Sequence, residues 1–220
     1  MSPSFVEKLP IRFGTEDEFE LVASSLRKAR FDEETILRTL KVESLSDIGS
    51  VKAGEVDFTG VATELEFFVR LFLFQRLIPR PEVENVVGRP VLEAFLALGL
   101  LGLGEFGLDQ LYAKVLLYPL AGLLVASDRH SNPDGSNFDP PPDIVFPAIY
   151  AGTLRFLELL PENCGEDVLD LCAGSGIGAF VLSRHSKHAV CADITDRSTQ
   201  FALFNRQLNG LHNVEPVCGN

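Results

Sequence analysis

The residues Asp167-Val-Leu-Asp-Leu-Cys-Ala-Gly-Ser-Gly-Ile-Gly-Ala-Phe180 constrain this chain more than any other segment. Apolar residues lead into a carboxylate, a glycine-bearing turn follows, and an apolar run then starts a helix. That order predicts a buried strand delivering a backbone loop bare enough to lie against a ligand. Gly174 and Gly176 permit a tight turn and close backbone approach, while Gly178 lets the next helix sit near the sheet. The Asp170 carboxylate stands at the end of the strand, ahead of the glycines. Bare amides and a helix N-terminus attract anions, so a negative charge there opposes a phosphate and welcomes an ammonium or sulfonium group. The loop therefore points to a cationic nucleoside, S-adenosylmethionine (SAM), ahead of a pyrophosphate.

Around this loop the element types alternate. Strands over 168–171, 189–192 and 214–217, with helices over 177–184 and 198–208, give a βαβαβ order. The fold class is α/β, with the first half of a doubly wound, Rossmann-like parallel sheet. Asp193 ends the second strand, where a carboxylate accepts hydrogen bonds from ribose hydroxyls, and Asp196 suits the cap of the following helix. The ribose role is common to SAM and NAD proteins, and Gly174-x-Gly176-x-x-Ala179 also satisfies the dinucleotide pattern. A NAD-dependent oxidoreductase is thus the alternative, though it leaves Asp170 unexplained. Asn209-Gly210 reads as a helix end, with structural residues only. Asn220, closing the third strand, is placed to hydrogen-bond an adenine edge.

Upstream, apolar periodicity predicts helices over 16–29, 32–40, 64–77 (capped by Thr63 and stopped by Pro79 and Pro81) and 90–98, with a polar loop over 49–60. A hairpin is expected within 111–127, around Pro119 and Gly122. Helices followed by a hairpin are the order of a winged-helix-like accessory domain, assigned here to 1–130. Residues 131–142, rich in Ser, Asn, Asp, Gly and Pro, form a linker, and 143–220 make the N-terminal part of a SAM-binding domain.

Composition excludes several function classes. A hydrophobic share of 46% over 220 residues supports a large core. A net charge of −12 disfavours nucleic acid as a partner and leaves a substrate protein or small molecule ahead of it. No uncharged run is long enough for a membrane span, and the first residues lack the pattern of a signal peptide. Cys164, Cys172, Cys191 and Cys218 show no Cys-x-x-Cys spacing and read as small buried hydrophobes in a reducing cytoplasm. No metal-ligand spacing and no Ser-His-Asp arrangement stands out.

Taken together, Asp170-Leu-Cys-Ala-Gly-Ser-Gly176, Cys191-Ala-Asp193-Ile194, Asn205-x-x-x-Asn209-Gly210 and Gly219-Asn220 resemble the successive motifs of class I SAM-dependent methyltransferases. The fuller resemblance is to the small-domain group that includes the release-factor glutamine and rRNA guanine-N2 enzymes. Asp143-Ile-Val-Phe-Pro147 through Tyr150, Thr153 and Leu160-Pro161 is similar to the segment that covers the cofactor in that group. The resemblance implies N-methylation of a planar amide or amine on a protein glutamine, a nucleobase or a small molecule, with SAM held by Asp170, Cys172, Ala173, Gly174, Gly176, Gly178, Asp193, Ile194, Asn220, Tyr150 and Thr153. Cys172 replaces the glycine usual at the first loop position, a substitution that fits if its φ is negative. The group also carries an Asn-Pro-Pro-aromatic motif after a fourth strand, which this sequence does not reach. The catalytic residues are therefore unknown, the chain is expected to be a cut piece or to have its sheet completed by a partner chain, and a non-catalytic interaction protein with a relic fold is the remaining alternative.

Overall fold

The computed structural model describes residues 9–162 and 165–219, and the structural statements below concern those residues. Thr15 opens α1 (Glu16–Lys28) with a reciprocal cap: its hydroxyl accepts from the Glu18 amide while the Glu18 carboxylate takes the Thr15 amide. Asp32 caps α2 (Glu33–Leu40) through the Thr35 amide. The long helix expected over 64–77 is shorter. α3 (Thr63–Phe68) has Ala62, not Thr63, at its N-cap, and continues into a π-helical turn over Val69–Leu73. The wide turn lets the consecutive residues Leu71, Phe72 and Leu73 all face inward, which a one-sided α-helix does not. The prolines past it also act differently from expectation. Pro81 occupies the first turn of α4 (Arg80–Val87), where a missing amide is harmless. Gly88 separates α4 from α5 (Arg89–Ala97).

Three short strands, β1 (Ile78–Pro79), β2 (Leu101–Gly104) and β3 (Gly107–Ala113), pair antiparallel in the order β1-β3-β2. The expected hairpin follows as β4 (Val115–Leu120) and β5 (Leu123–Asp128), with every residue of both strands buried. Its turn residues, Ala121 and Gly122, have φ of 50° and 72°, the twist a two-residue hairpin loop requires. The Ala121 amide donates to Glu33 Oε2 at 3.0 Å, and its carbonyl accepts from the Arg184 guanidinium.

Beyond residue 142 come α6 (Ala151–Glu158), β6 (Asp167–Leu171), α7 (Ile177–Leu182), β7 (His188–Asp193), α8 (Asp196–Leu208) and β8 (Val214–Cys218). The three strands are parallel in the order β6-β7-β8, with Asp170 beside Cys191 and Asp193 beside Cys218. The α/β class and the βαβαβ order are as the sequence indicates. Thr195, not Asp196, caps α8, its hydroxyl accepting from the Ser198 amide.

Helix α8 joins the two halves. Leu124, Ala126 and Asp128 turn their amides and carbonyls away from β4. Asn209 Oδ1 accepts from the Leu124 amide at 2.8 Å, and its Nδ2 donates to the Leu124 carbonyl at 2.7 Å. Asn205 repeats the pair on Ala126, at 2.8 and 3.0 Å. Four helical residues rise about 6 Å and two strand residues about 6.6 Å, so two asparagines one turn apart match two successive rungs. The Asp128 amide bonds the Val145 carbonyl at 3.1 Å and closes the edge. Asn209 is thus more than a helix end, and positive φ falls on Gly210 alone (62°), with Asn209 at −102°. Phe204 of α8 packs edge-on against Phe19 of α1, 5.0 Å between centroids, within one hydrophobic cluster.

Candidate functional site

The C-terminal ends of β6 and β7 open onto a cavity of about 510 Å³ roofed by 144–156. Its size suits a small molecule. Two clefts are larger, about 700 Å³ among α1–α5 and about 650 Å³ between α1 and the end of α8, but neither contains strand-end carboxylates beside a glycine loop. Chemistry, not volume, selects the site.

Asp170 reaches the cavity from β6, and its Oδ2 accepts the Ala179 amide at 3.0 Å. Gly178 makes that bond possible: a Cβ there would lie 2.7 Å from the same oxygen and 3.2 Å from Phe156 Cε1. Burial raises the Asp170 carboxyl above its ordinary value, the Ala179 amide opposes this, and the charge of Asp193 adds to it. No Lys, Arg or His among the described residues forms an ion pair with Asp170. Asp193 is set up the other way. Burial pushes its carboxyl up too, but the amides of Thr195 and Gly174 and the hydroxyls of Thr195 and Ser198 together hold it below its ordinary value. Its Oδ1 accepts from Thr195 at 3.0 and 3.1 Å and its Oδ2 from the Gly174 amide at 3.0 Å. One carboxylate is satisfied by the protein, and the other lacks a cation.

Of the residues expected to hold a ligand, Tyr150, Thr153, Asp170, Cys172, Ala173, Gly174, Gly178 and Asp193 line this cavity. Gly176 does not. It starts α7 at a φ of 86°, and a Cβ there would meet the Phe180 ring at 2.6 Å, so its role is to turn the chain. Ile194 does not line it either and is 69% exposed. Asn220 lies outside the described residues, as does Cys164. The condition placed on Cys172 is not met: its φ is +59°, a left-handed conformation that a residue with a Cβ adopts at a cost of about 1 kcal/mol. The sequence held no sign of this, because glycine's absence was the reason to expect an ordinary φ.

Sequence reasoning also missed Phe156, which lines the cavity against Asp170. The available signal was its position one helical turn after Thr153. Cys191, buried beside Asp170 in the sheet, is no nucleophile: burial first, and the Asp170 charge second, push its thiol up to about 12. The described cysteines, Cys172, Cys191 and Cys218, are free thiols, but only Cys191 is the buried hydrophobe expected; Cys172 in the loop and Cys218 at the end of the edge strand β8 are exposed. Among the described residues no His, Cys, Asp or Glu cluster could hold a metal, and no helix is long and apolar enough to cross a membrane.

No family model matches the chain, and no curated protein matches it. Solved structures similar to it include the tRNA m1G37 methyltransferase of M. jannaschii, at 17% identity over 48% of this chain and 30% of that one, with a TM-score of 0.33. The TYW2 of M. jannaschii, in complex with AdoMet, is 19% identical over 48% of this chain and 43% of that one, with a TM-score of 0.34. Trm5b from Pyrococcus abyssi is 17% identical over 72% and 43%, with a TM-score of 0.35. The chain spans less than half the length of each. Likenesses this remote leave the function to be read from the chain's own cavity.

Proposed function

We propose that the cavity binds S-adenosylmethionine and that the chain is part of a class I methyltransferase of the small-domain type. The observation that carries this reading is Asp170: a half-buried carboxylate, fixed by one amide, facing a ligand-sized cavity without a cation of its own. A ligand ammonium supplies the missing charge. A pyrophosphate would meet two carboxylates, Asp170 and Asp193, where it needs donors.

The donor set fits the rest of the molecule. Asp193, already ionised and oriented by Thr195 and Gly174, retains acceptor capacity for ribose hydroxyls. Tyr150, Thr153 and Phe156 line the cavity on the side of α6. When bound, SAM supplies a sulfonium methyl that is already a strong electrophile, so the protein's contribution is binding and orientation. The expected acceptor is a planar amide or amine on a protein or small molecule. Residues 1–130 serve as a winged-helix-like accessory domain, 131–142 as linker, and the open edge of β6 accepts a strand from a partner chain. Free thiols support a reducing compartment, the cytoplasm.

Calorimetry with SAM, its demethylated product and NAD tests the reading. Binding of the first two, lost in Asp170→Ala, is the expected result. Tight binding of NAD with no heat from either SAM or its product sinks it.

A further inference from the structure

We infer that Asn205 is a positioning residue for the glycine loop, and that through it the N-terminal hairpin becomes part of the ligand-binding apparatus. The Asn205 side chain is fully buried. Besides the paired bonds to Ala126, its Nδ2 donates to the Ser175 carbonyl at 3.1 Å. Ser175 sits between Gly174 and Gly176, with φ of 55° and 86°, in a segment whose glycines leave the backbone little intrinsic preference. One carboxamide thus ties that loop to the middle of β5. The same strand ends at Asp128, whose carboxylate accepts the Val145 amide at 2.9 Å, and the Tyr118 hydroxyl of β4 accepts the Ala148 amide at 2.6 Å. Val145 and Ala148 belong to the cavity's roof. Floor and roof are therefore both pinned to a hairpin that precedes them in the chain.

Asn209 is a built-in control. It clamps Leu124 as Asn205 clamps Ala126, and its remaining donor stays within its own helix, on the Asn205 carbonyl at 2.8 Å. The two asparagines differ chiefly in the bond to Ser175.

The test compares Asn205→Ala with Asn209→Ala in the full chain by hydrogen–deuterium exchange over 172–178 and by calorimetry with the demethylated product of SAM. Both variants lose stability, because each frees a rung of β5. Asn205→Ala alone speeds exchange in the loop and weakens binding about tenfold, the effect of one lost hydrogen bond. Equal loop exchange in the two variants, or unchanged affinity in Asn205→Ala, overturns the inference. The ligand arm rests on the SAM reading. If the wild-type protein binds neither SAM nor its product, that reading fails while loop exchange still decides the role of Asn205. Should Asn205→Ala not fold, exchange in the wild-type chain under mild denaturant decides: the Gly174 and Gly176 amides open together with Ala126, and a loop opening well before Ala126 overturns the inference.

Discussion

Strands β5 and β6 are both sheet edges, and each carries a carboxylate at or near its end. Their surroundings are opposite. Every residue of β5 is buried, its outward backbone groups are taken by Asn209, Asn205 and Val145, and Asp128 forms a two-point pair with Arg197 at 2.5 and 2.7 Å. None of the five residues of β6 is buried, Leu169 and Leu171 are 60% and 66% exposed, and Asp170 has one amide and no cation. An edge closed by its own chain is a joint. An edge left open beside an unmatched carboxylate exposes unpaired backbone groups and apolar side chains to solvent.

Breaking the closed side has the largest expected effect. Asp128 and Arg197 are 3% and 7% exposed, so Asp128→Ala removes the carboxylate of a buried two-point pair and the acceptor of the Val145 amide. A loss of about 3–5 kcal/mol in chemical denaturation is expected, the usual result of removing one partner of a buried pair. A loss below about 1 kcal/mol would show that β5 is not the joint described.

The corresponding change on the open side acts with the opposite sign. The raised Asp170 carboxyl binds its proton more tightly in the folded than in the unfolded chain, so stability falls as pH rises from the ordinary carboxylate range through the raised folded value. Asp170→Asn removes that fall, making the ligand-free protein more stable than wild type at neutral pH while SAM binding is lost. Asp193, held low, contributes stability that is present above its ordinary value and disappears as pH drops through the depressed one. Denaturation curves of wild type and Asp170→Asn from pH 4 to 7 check the first sign, and curves of wild type and Asp193→Asn at pH values below the ordinary carboxylate range check the second. A less stable Asp170→Asn at neutral pH would mean the carboxylate is not waiting for a cation.

Ala121, at the turn into β5, tests how much strain the joint tolerates. Its φ of 50° suits asparagine better than alanine, and Ala121→Asn creates the Asn-Gly pair favoured in two-residue hairpin turns. A gain of about 0.5–1 kcal/mol in denaturation is expected, and a loss would show that Glu33 and Arg184 already relieve the turn.

The open side was readable from residue order and the closed side was not, for a physical reason. Strand, carboxylate and glycine turn are contiguous, so Asp167 to Phe180 indicated the element and the carboxylate at its end. The burial expected of that strand is not found, because β6 is an edge and none of its residues is buried. The joint is made of groups some 70 to 85 positions apart, 128 with 197, 126 with 205 and 124 with 209. Nothing local distinguishes an asparagine that clamps a distant strand from one that ends a helix, and Asn209 does both. The π turn at Val69–Leu73 was hidden likewise, since a crowd of apolar residues gives the same periodicity signal whether the turn is normal or wide.

The smallest effect separates the edges most cleanly. Leu124 and Leu169 are the same residue on two edge strands, 5% and 60% exposed. Lysine at Leu124 would place an ammonium at a buried position within the hydrophobic cluster, and a loss of more than about 3 kcal/mol is expected. Lysine at Leu169 changes a solvated position, and the expected shift is within about 0.5 kcal/mol. The charge also discourages edge-to-edge pairing, so light scattering should show less self-association in Leu169→Lys than in wild type. If Leu169→Lys destabilises as strongly as Leu124→Lys, the β6 edge is already covered in solution, and the contrast between the two strands fails.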